Sequence, residues 1–472
     1  MDFKHRRGNY LIIFEKVIEL PILILGALAS IILVKNFDAQ AVMPLVFILF
    51  SPISRLISYL FTFYTLEEEH LVVESGVFTK QRVEIPFSTI TTVDLSQNIL
   101  FQLFKVYKIK VDNASQTNDT ANKSNIVLTL KIDQAIQFKE VLTKGKNTQE
   151  LREQEAETDA IKAMPQDFVK LGLLQSKWVY FLSIIAVAGP FLGIIAPKLE
   201  NIFQDMLIGG LIAAAIILGY VLSVALSLGK SVLTYYNFKV WATDDTVKIK
   251  YGLLNKKSFS LQKSKINGII FKQSLLMRLC GFYTAEVIVI GYGDADKEGE
   301  TERAIIFPIA TLERLKKIVV RLLPEYSVEY TLCHPDRGAV RYFFANPGFI
   351  SALITAAISV MVSTAVGQPL IAAAAAVLLI LSVIDVLLRF KNSGISVGNK
   401  NVVLSAGGFS RWMAFIKTGS IESVTSKGSM FKRERGYVSI SLGYVAPARA
   451  ARLTSYNLPA DQFEQLQSVL KY

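Results

Sequence analysis

The residues able to serve as nucleophiles, metal ligands or acid–base groups are few and scattered. Three histidines (His5, His70, His334) and two cysteines (Cys280, Cys333) are all the soft ligands in 472 residues. No two histidines are close in sequence, and neither cysteine stands in a C-x-x-C spacing, so the pattern offers no zinc site. Two thiols are too few for a disulfide framework and read as free, buried cysteines of a reducing compartment. The adjacent pair Cys333-His334 reads as an accident of a linker. Glu67-Glu68-Glu69 reads as a solvated strand start, with a metal role as the alternative. Gly291-Tyr292-Gly293-Asp294 opens like a phosphate loop but lacks a third glycine and a following helix, so it reads as a hairpin tip. The G-x-S-x-G and Walker A patterns are absent. No catalytic residue, cofactor site or metal site is expected, and the chain is expected not to be an enzyme.

Charge is the more informative chemistry. The net charge is +12. Residues 62–176 carry 13 basic and 16 acidic side chains, residues 229–345 carry 18 and 12, and residues 389–472 carry 12 and 4. Within the last stretch Lys427, Lys432, Arg433 and Arg435 cluster beside Phe431, a basic patch expected to face anionic lipid headgroups, each cation being worth about 1 kcal/mol near such a surface. Nucleic acid is the rival partner for a basic chain; tethering at a membrane favours lipid, and no nucleic-acid partner is expected. A second expected pair lies inside a membrane segment. At 1.5 Å per residue, Glu19 and Arg55 lie at a shared depth of about 21–24 Å below the turn between their helices. Glu15 is the alternative partner for Arg55.

These side chains need elements to hold them. Hydrophobic residues make up 51%, charged residues only 19%, and the mean hydropathy is +0.39. A soluble domain carries about 25% charge, so the composition argues for a membrane protein with sizeable water-exposed parts. Six apolar runs come in pairs: Leu20–Val34 with Val42–Phe61, Trp178–Ala196 with Met206–Leu228, and Phe349–Val366 with Leu370–Leu388. Each pair is split by a turn too short for a domain, so six transmembrane helices in three hairpins are expected. The basic start resembles a signal peptide, but a second apolar run follows and no small-residue cleavage site does, so an uncleaved helix is read. Lys4, Arg6, Arg7, Arg55, Lys230, Lys239, Arg341, Arg389 and Lys391 flank the long segments, which places both termini and those segments in the cytoplasm.

The long segments repeat. Leu71–Phe78, Val247–Leu254 and Val402–Phe409 each run as a strand into a glycine turn. Ile85-Pro86-Phe87-Ser88-Thr89-Ile90 recurs as Leu261–Ile266 and Ile416–Ile421. Short helical turns follow at Gln97–Phe104, Gln273–Leu279 and Ser429–Arg433. Each copy closes with an amphipathic helix, at Asp133–Leu142, Ala310–Leu322 and Pro459–Leu470. About seven short strands and one helix per copy make a small β-barrel or sandwich capped by its C-terminal helix. Two lead-in segments, Gln166–Gln175 and Arg341–Phe344, are expected to lie in the headgroup layer.

With its helix pairs, aromatic exits (Phe63-Tyr64, Tyr235-Tyr236), strand–glycine–strand turns and the Ile-Pro-Phe-Ser-Thr-Ile box followed by Gln97-Asn98, the chain resembles bacterial pleckstrin-homology-like (PH-like) membrane proteins. These are of the YdbS/YdbT type, and the three-unit YdbT kind is closest. The third copy departs most, with Gly407-Gly408 at its turn and no Pro-Phe pair. The organisation expected is a hairpin over 1–61, a PH-like domain over 62–145 and a charged linker with lead-in over 146–176. A second hairpin then covers 177–229, a second domain 230–325, a linker 326–345, a third hairpin 346–388 and a third domain 389–472. The resemblance implies a plasma-membrane scaffold or envelope-protection role, resistance to membrane-active peptides such as bacteriocins, and a smaller YdbS-like partner. A lipid-handling or transport protein is the alternative.

Overall fold

The computed structural model describes residues 5–14, 56–113 apart from 68 and 78, 125–143, 159–174, 205–289, 304–366 apart from 327 and 328, 369–444 and 451–470. The Glu19–Arg55 pair, Glu15, the runs 20–34 and 178–196 and the Gly291–Asp294 tip lie outside these residues.

The first unit has strands β1 (Phe63–Leu66), β2 (His70–Ser75), β3 (Gln81–Pro86) and β4 (Ile90–Gln97), helix α1 (Ile99–Leu103), strands β5 (Val106–Asn113) and β6 (Asn125–Lys131), and helix α2 (Ile132–Thr143). A short strand β7 (Ile161–Lys162), helix α3 (Pro165–Leu174) and helix α4 (Asp205–Tyr235) lead to the second unit. That unit repeats the order: β8 (Lys239–Ala242), β9 (Thr246–Tyr251), β10 (Lys256–Gln262), β11 (Ile266–Gln273), α5 (Leu275–Leu279), β12 (Phe282–Val289), β13 (Ala304–Thr311) and α6 (Leu312–Leu322). Helices α7 (Val340–Phe344), α8 (Pro347–Val366) and α9 (Pro369–Asn392) follow. The third unit holds β14 (Gly394–Val397), β15 (Asn401–Ala406), β16 (Arg411–Lys417), β17 (Ile421–Lys427), α10 (Met430–Arg433), β18 (Tyr437–Tyr444), β19 (Ala451–Pro459) and α11 (Asp461–Leu470). Each unit is a six-stranded sandwich with a closing helix.

Local chemistry explains the repeat. Gly76, Gly252 and Gly407 all have positive φ, between 108° and 121°, a region that costs a glycine nothing. The recurring six-residue box is the corner where the chain passes from one sheet to the other through a 3-10 turn, at Phe87–Thr89, Lys263–Lys265 and Thr418–Ser420. The residue preceding the next helical turn also recurs. Gln97 Nε2 donates to the Val106 carbonyl and Gln273 Nε2 to the Phe282 carbonyl, both at 2.9 Å, and both side chains are buried. The aromatic exits do not correspond in space: α4 runs on to Tyr235, and the buried Tyr64 of β1 has Val240 and Ile395 as counterparts. Each of these three is bridged by the chain ahead of its unit, through Arg6, Ile161 and Cys333. Cys333 thus has a structural place, and His334 Nδ1 lies 2.8 Å from the Ser393 carbonyl. Cys333-His334 is therefore part of the sheet margin and not a linker accident.

The units are not separate beads. β4 pairs antiparallel with β10, so the second sheet of unit one and the first of unit two form one seven-stranded sheet, β6-β5-β4-β10-β9-β8-β7. β11 pairs in the same way with β16, giving β13-β12-β11-β16-β15-β14. The cores follow the sheets: Val403, Met413 and Phe415 of unit three pack with Phe271, Ala285 and Phe307 of unit two.

The expectation of six transmembrane helices in three hairpins is overturned. Among the described residues two helical stretches are long and apolar enough to cross a membrane, Ile217–Tyr235 and Pro347–Ala365. The nineteen described strands form four β-sheets. α9 packs along α8 but bears Asp385, Arg389 and Lys391 in its second half, more charge than an apolar span carries. At 31 residues, α4 is about 46 Å long against a hydrocarbon core of about 30 Å. Its lower end accordingly packs on protein: Ser227 and Ser231 donate to the Gly172 and Phe168 carbonyls of α3, each at 3.0 Å. The first lead-in, α3, therefore buries Phe168 and Leu171 against protein, where the headgroup layer was expected.

Candidate functional site

The third unit differs from the other two at one backbone position. Where units one and two place Gln97 and Gln273, unit three has Gly428. A Cβ there would sit 3.2 Å from Arg433 Cγ and 3.3 Å from the Tyr437 carbonyl oxygen, the counterpart of the carbonyls that the two glutamines satisfy. Gly428 lines a cleft of about 640 Å³.

The cleft lies at the foot of α8. Its walls include Arg389 from the end of α9, Lys427, Gly428 and Ser429 from the end of β17, and Lys432 from α10. Ser439 and Ser441 of β18, Thr454, Tyr456 and Asn457 of β19, and Tyr342, Phe343, Asn346 and Pro347 ahead of α8 complete it. Asn346 Oδ1 accepts the Gly348 N–H at 3.1 Å, capping the first turn of α8 where its free N–H groups and dipole favour an anion. Lys432 Nζ donates to Asn457 Oδ1 at 2.9 Å and stands 5.6 Å from the Tyr342 ring centre. Burial holds the Lys432 ammonium below the usual lysine range, an effect partly offset by Tyr342. Arg389 is shared: its Nε donates to Asp385 Oδ2 at 2.6 Å.

Of the four predicted basic residues the structure brings two together. Lys427 and Lys432 line the cleft. Arg433 and Arg435 do not line it; Arg433 Nη2 donates to the Ser426 carbonyl and Arg435 Nη1 to Tyr342 Oη, both at 3.4 Å. Met430 and Phe431 stand about three-quarters exposed beside them, an apolar tip on a basic rim. Sequence reasoning missed Arg389 and the hydroxyl wall. Glycine at 428 in place of glutamine was the available signal. The predicted lead-in Arg341–Phe344 lies within α7 and packs in an aromatic cluster, Phe343 edge-on to Phe390 and Tyr342 tilted against Tyr437. Tyr437 also donates to Asp336 Oδ1.

Three sandwiches of one topology, each closed by a C-terminal helix, define the class. The chain belongs to the bacterial PH domain family, which it matches over residues 20–146, 183–323 and 349–472. It is also similar to the transmembrane protein YdbT of Bacillus subtilis (strain 168), at 22% identity over 312 residues. That alignment covers 62% of this chain, and the chain spans about 62% of the relative's length.

Proposed function

We propose that this chain is a non-enzymatic scaffold of a bacterial cell membrane. Its PH-like units face the cytoplasm, and the unit-three cleft holds an anionic lipid headgroup. The single observation that carries the reading is the cleft itself. Three cations and a row of hydroxyls converge at the start of an apolar helix, where a phosphate in the headgroup layer would reach them. The relative's description as a transmembrane protein supports the membrane placement, and the excess of basic residues beside the helices supports the cytoplasmic side. A role in protecting the envelope against membrane-active peptides, with a smaller YdbS-like partner, follows from the family resemblance and rests on this same scaffold reading.

The test uses the full chain in neutral detergent, titrated with short-chain phosphatidylglycerol or phosphatidylcholine and followed by native mass spectrometry of retained lipid. Phosphatidylglycerol is expected to bind in preference. Lys427→Gln with Lys432→Gln should weaken it about thirtyfold, at about 1 kcal/mol per cation. Gly428→Gln should weaken it by filling the space while leaving every charge in place. Equal retention of both lipids, or indifference to all three substitutions, would remove the headgroup assignment.

A further inference from the structure

The two inter-unit joints are copies of each other. At the first, Gln97 of β4 faces Lys256 of β10; at the second, Gln273 of β11 faces Arg411 of β16. These are equivalent positions, because each glutamine immediately precedes the N-cap of its short helix and each basic residue begins the third strand of its unit. A side-chain clasp recurs as well. Gln102 Nε2 donates to the Leu253 and Leu254 carbonyls at 3.1 and 2.8 Å, in the turn of the next unit. Its counterpart Arg278 donates through Nη1 to the Gly408 carbonyl at 3.4 Å.

The same two surfaces recur at the ends of the array without their complement. Among the described residues β3, the counterpart of β10 and β16, pairs only with β2, and β17, the counterpart of β4 and β11, pairs only with β18. The first strand of every unit is covered by its preceding bridge, so β3 and β17 stand out as edges whose counterparts are interior. Burial records the difference: β11 is buried at every position but Lys272, whereas in β17 only Ile421 is buried. Arg433 occupies the position of Gln102 and Arg278; it is exposed and donates to the Ser426 carbonyl of its own unit at 3.4 Å. An unpaired strand edge is a template for another chain.

We propose that β17 of one copy pairs antiparallel with β3 of a second copy of this chain, in the register of the internal joints. Ser426 then faces Arg82, Lys427 faces Gln81, and Arg433 donates to the Val77 carbonyl next to Gly76. Charge favours this occupant. The β3 end carries Glu67, Glu74 and Glu84 around Arg82, and the β17 end carries Arg433 and Arg435, which do not line the cleft. Pro86 is no obstacle, because its counterparts Gln262 and Lys417 lie beyond the paired residues of the internal joints. The contact is heterologous, so it closes a ring or extends a row of chains in the membrane plane.

The experiment co-expresses two differently tagged full chains lacking Cys280 and Cys333, one with Arg82→Cys and one with Ser426→Cys, and oxidises native membranes. A mixed disulfide dimer is expected for 82 with 426, and not for 82 with Glu422→Cys, which shares the face four residues out of register. Independently, with native cysteines in place, co-purification of the two tags in mild detergent should fall about tenfold with Arg433→Glu, the loss of one charge-assisted hydrogen bond. No mixed dimer together with no co-purification would overturn the proposal. Equal yields at 422 and 426 would overturn the register, and a Ser426→Cys adduct formed only with a smaller protein would overturn the second-copy assignment.

Discussion

Gly408→Ala isolates the contact that ties the helix pair to unit three. The backbone at Gly408 is not in the left-handed region, so alanine is allowed by φ; what forbids it is a neighbour. A Cβ at this position would lie 1.7 Å from Asp385 Oδ1 and 2.5 Å from its Cγ. The carboxylate must withdraw by more than 1 Å, and it then loses the Phe409 N–H that it accepts at 2.9 Å. A hydrogen bond to a charged group is worth about 1.5–3 kcal/mol, and the orphaned amide adds to the loss. Asp385→Ala removes the same bond together with the i,i+4 pair to Arg389, worth about 0.3–0.5 kcal/mol. Either change alone should cost about 2–3 kcal/mol. With Asp385 already alanine, however, the three atoms nearest the added Cβ are gone, and Gly408→Ala should stabilise by about 0.4–1 kcal/mol through the unfolded chain. Hydrogen exchange of the 402–416 segment in the full chain reads this locally, and 2 kcal/mol is about a thirtyfold change in exchange rate. Effects of the two substitutions that add within about 0.5 kcal/mol would refute the shared contact.

Other outcomes follow from the same geometry. Gln273→Leu keeps the volume but strips the donor from the Phe282 carbonyl; thermal melting of the full chain in detergent should show a loss of about 1–3 kcal/mol. Lys432 titrates below the usual lysine range, so its charged form opposes folding at all pH values below its folded pKa, and that penalty fades as pH rises toward the unfolded value. Phosphatidylglycerol binding should therefore weaken earlier on the alkaline side in the native chain than in Lys432→Arg, and superimposable pH profiles would contradict a role for Lys432.

How far the sequence could be read depends on the range of the forces involved. Glycine turns, the six-residue corner and the capping helices are set by neighbours in the chain, and they showed in the repeat. Sheet sharing is long-range, and its signal was weaker but present. Ile266–Gln273 runs Ile-Asn-Gly-Ile-Ile-Phe-Lys-Gln, apolar on both faces at its centre, as a strand buried on both sides requires. Ile421–Lys427 alternates more and carries a charge at each end, as an open edge does. The aromatic exits misled because aromatic residues mark the membrane interface wherever a helix leaves it, and α4 continues past that level before its unit begins. Glycine at 428 is an absence, visible only once Gln97 and Gln273 show what a side chain does at that position. The apolar runs were legible as runs; which of them crosses a bilayer is decided by charges such as Asp385 and Arg389 and by what packs on the helix.

Shared sheets change what a unit is. Residues 389–472 carry the largest basic excess, yet their β16 edge is satisfied by β11, and Val403, Met413 and Phe415 are part of the unit-two core. Cut away, they would expose an unpaired strand and three apolar side chains, so lipid binding has to be measured on the whole chain. The same continuity bears on orientation. Units joined by hydrogen-bonded strands cannot lie on opposite faces of a bilayer, because no sheet edge passes through lipid unsatisfied. α9 lies against α8 and is anchored by Asp385 and Asn392 to the turn at Gly407, Gly408 and Phe409. Arg389 thus serves the helix end and the cleft together: it donates to Asp385 within α9 and lines the unit-three cleft.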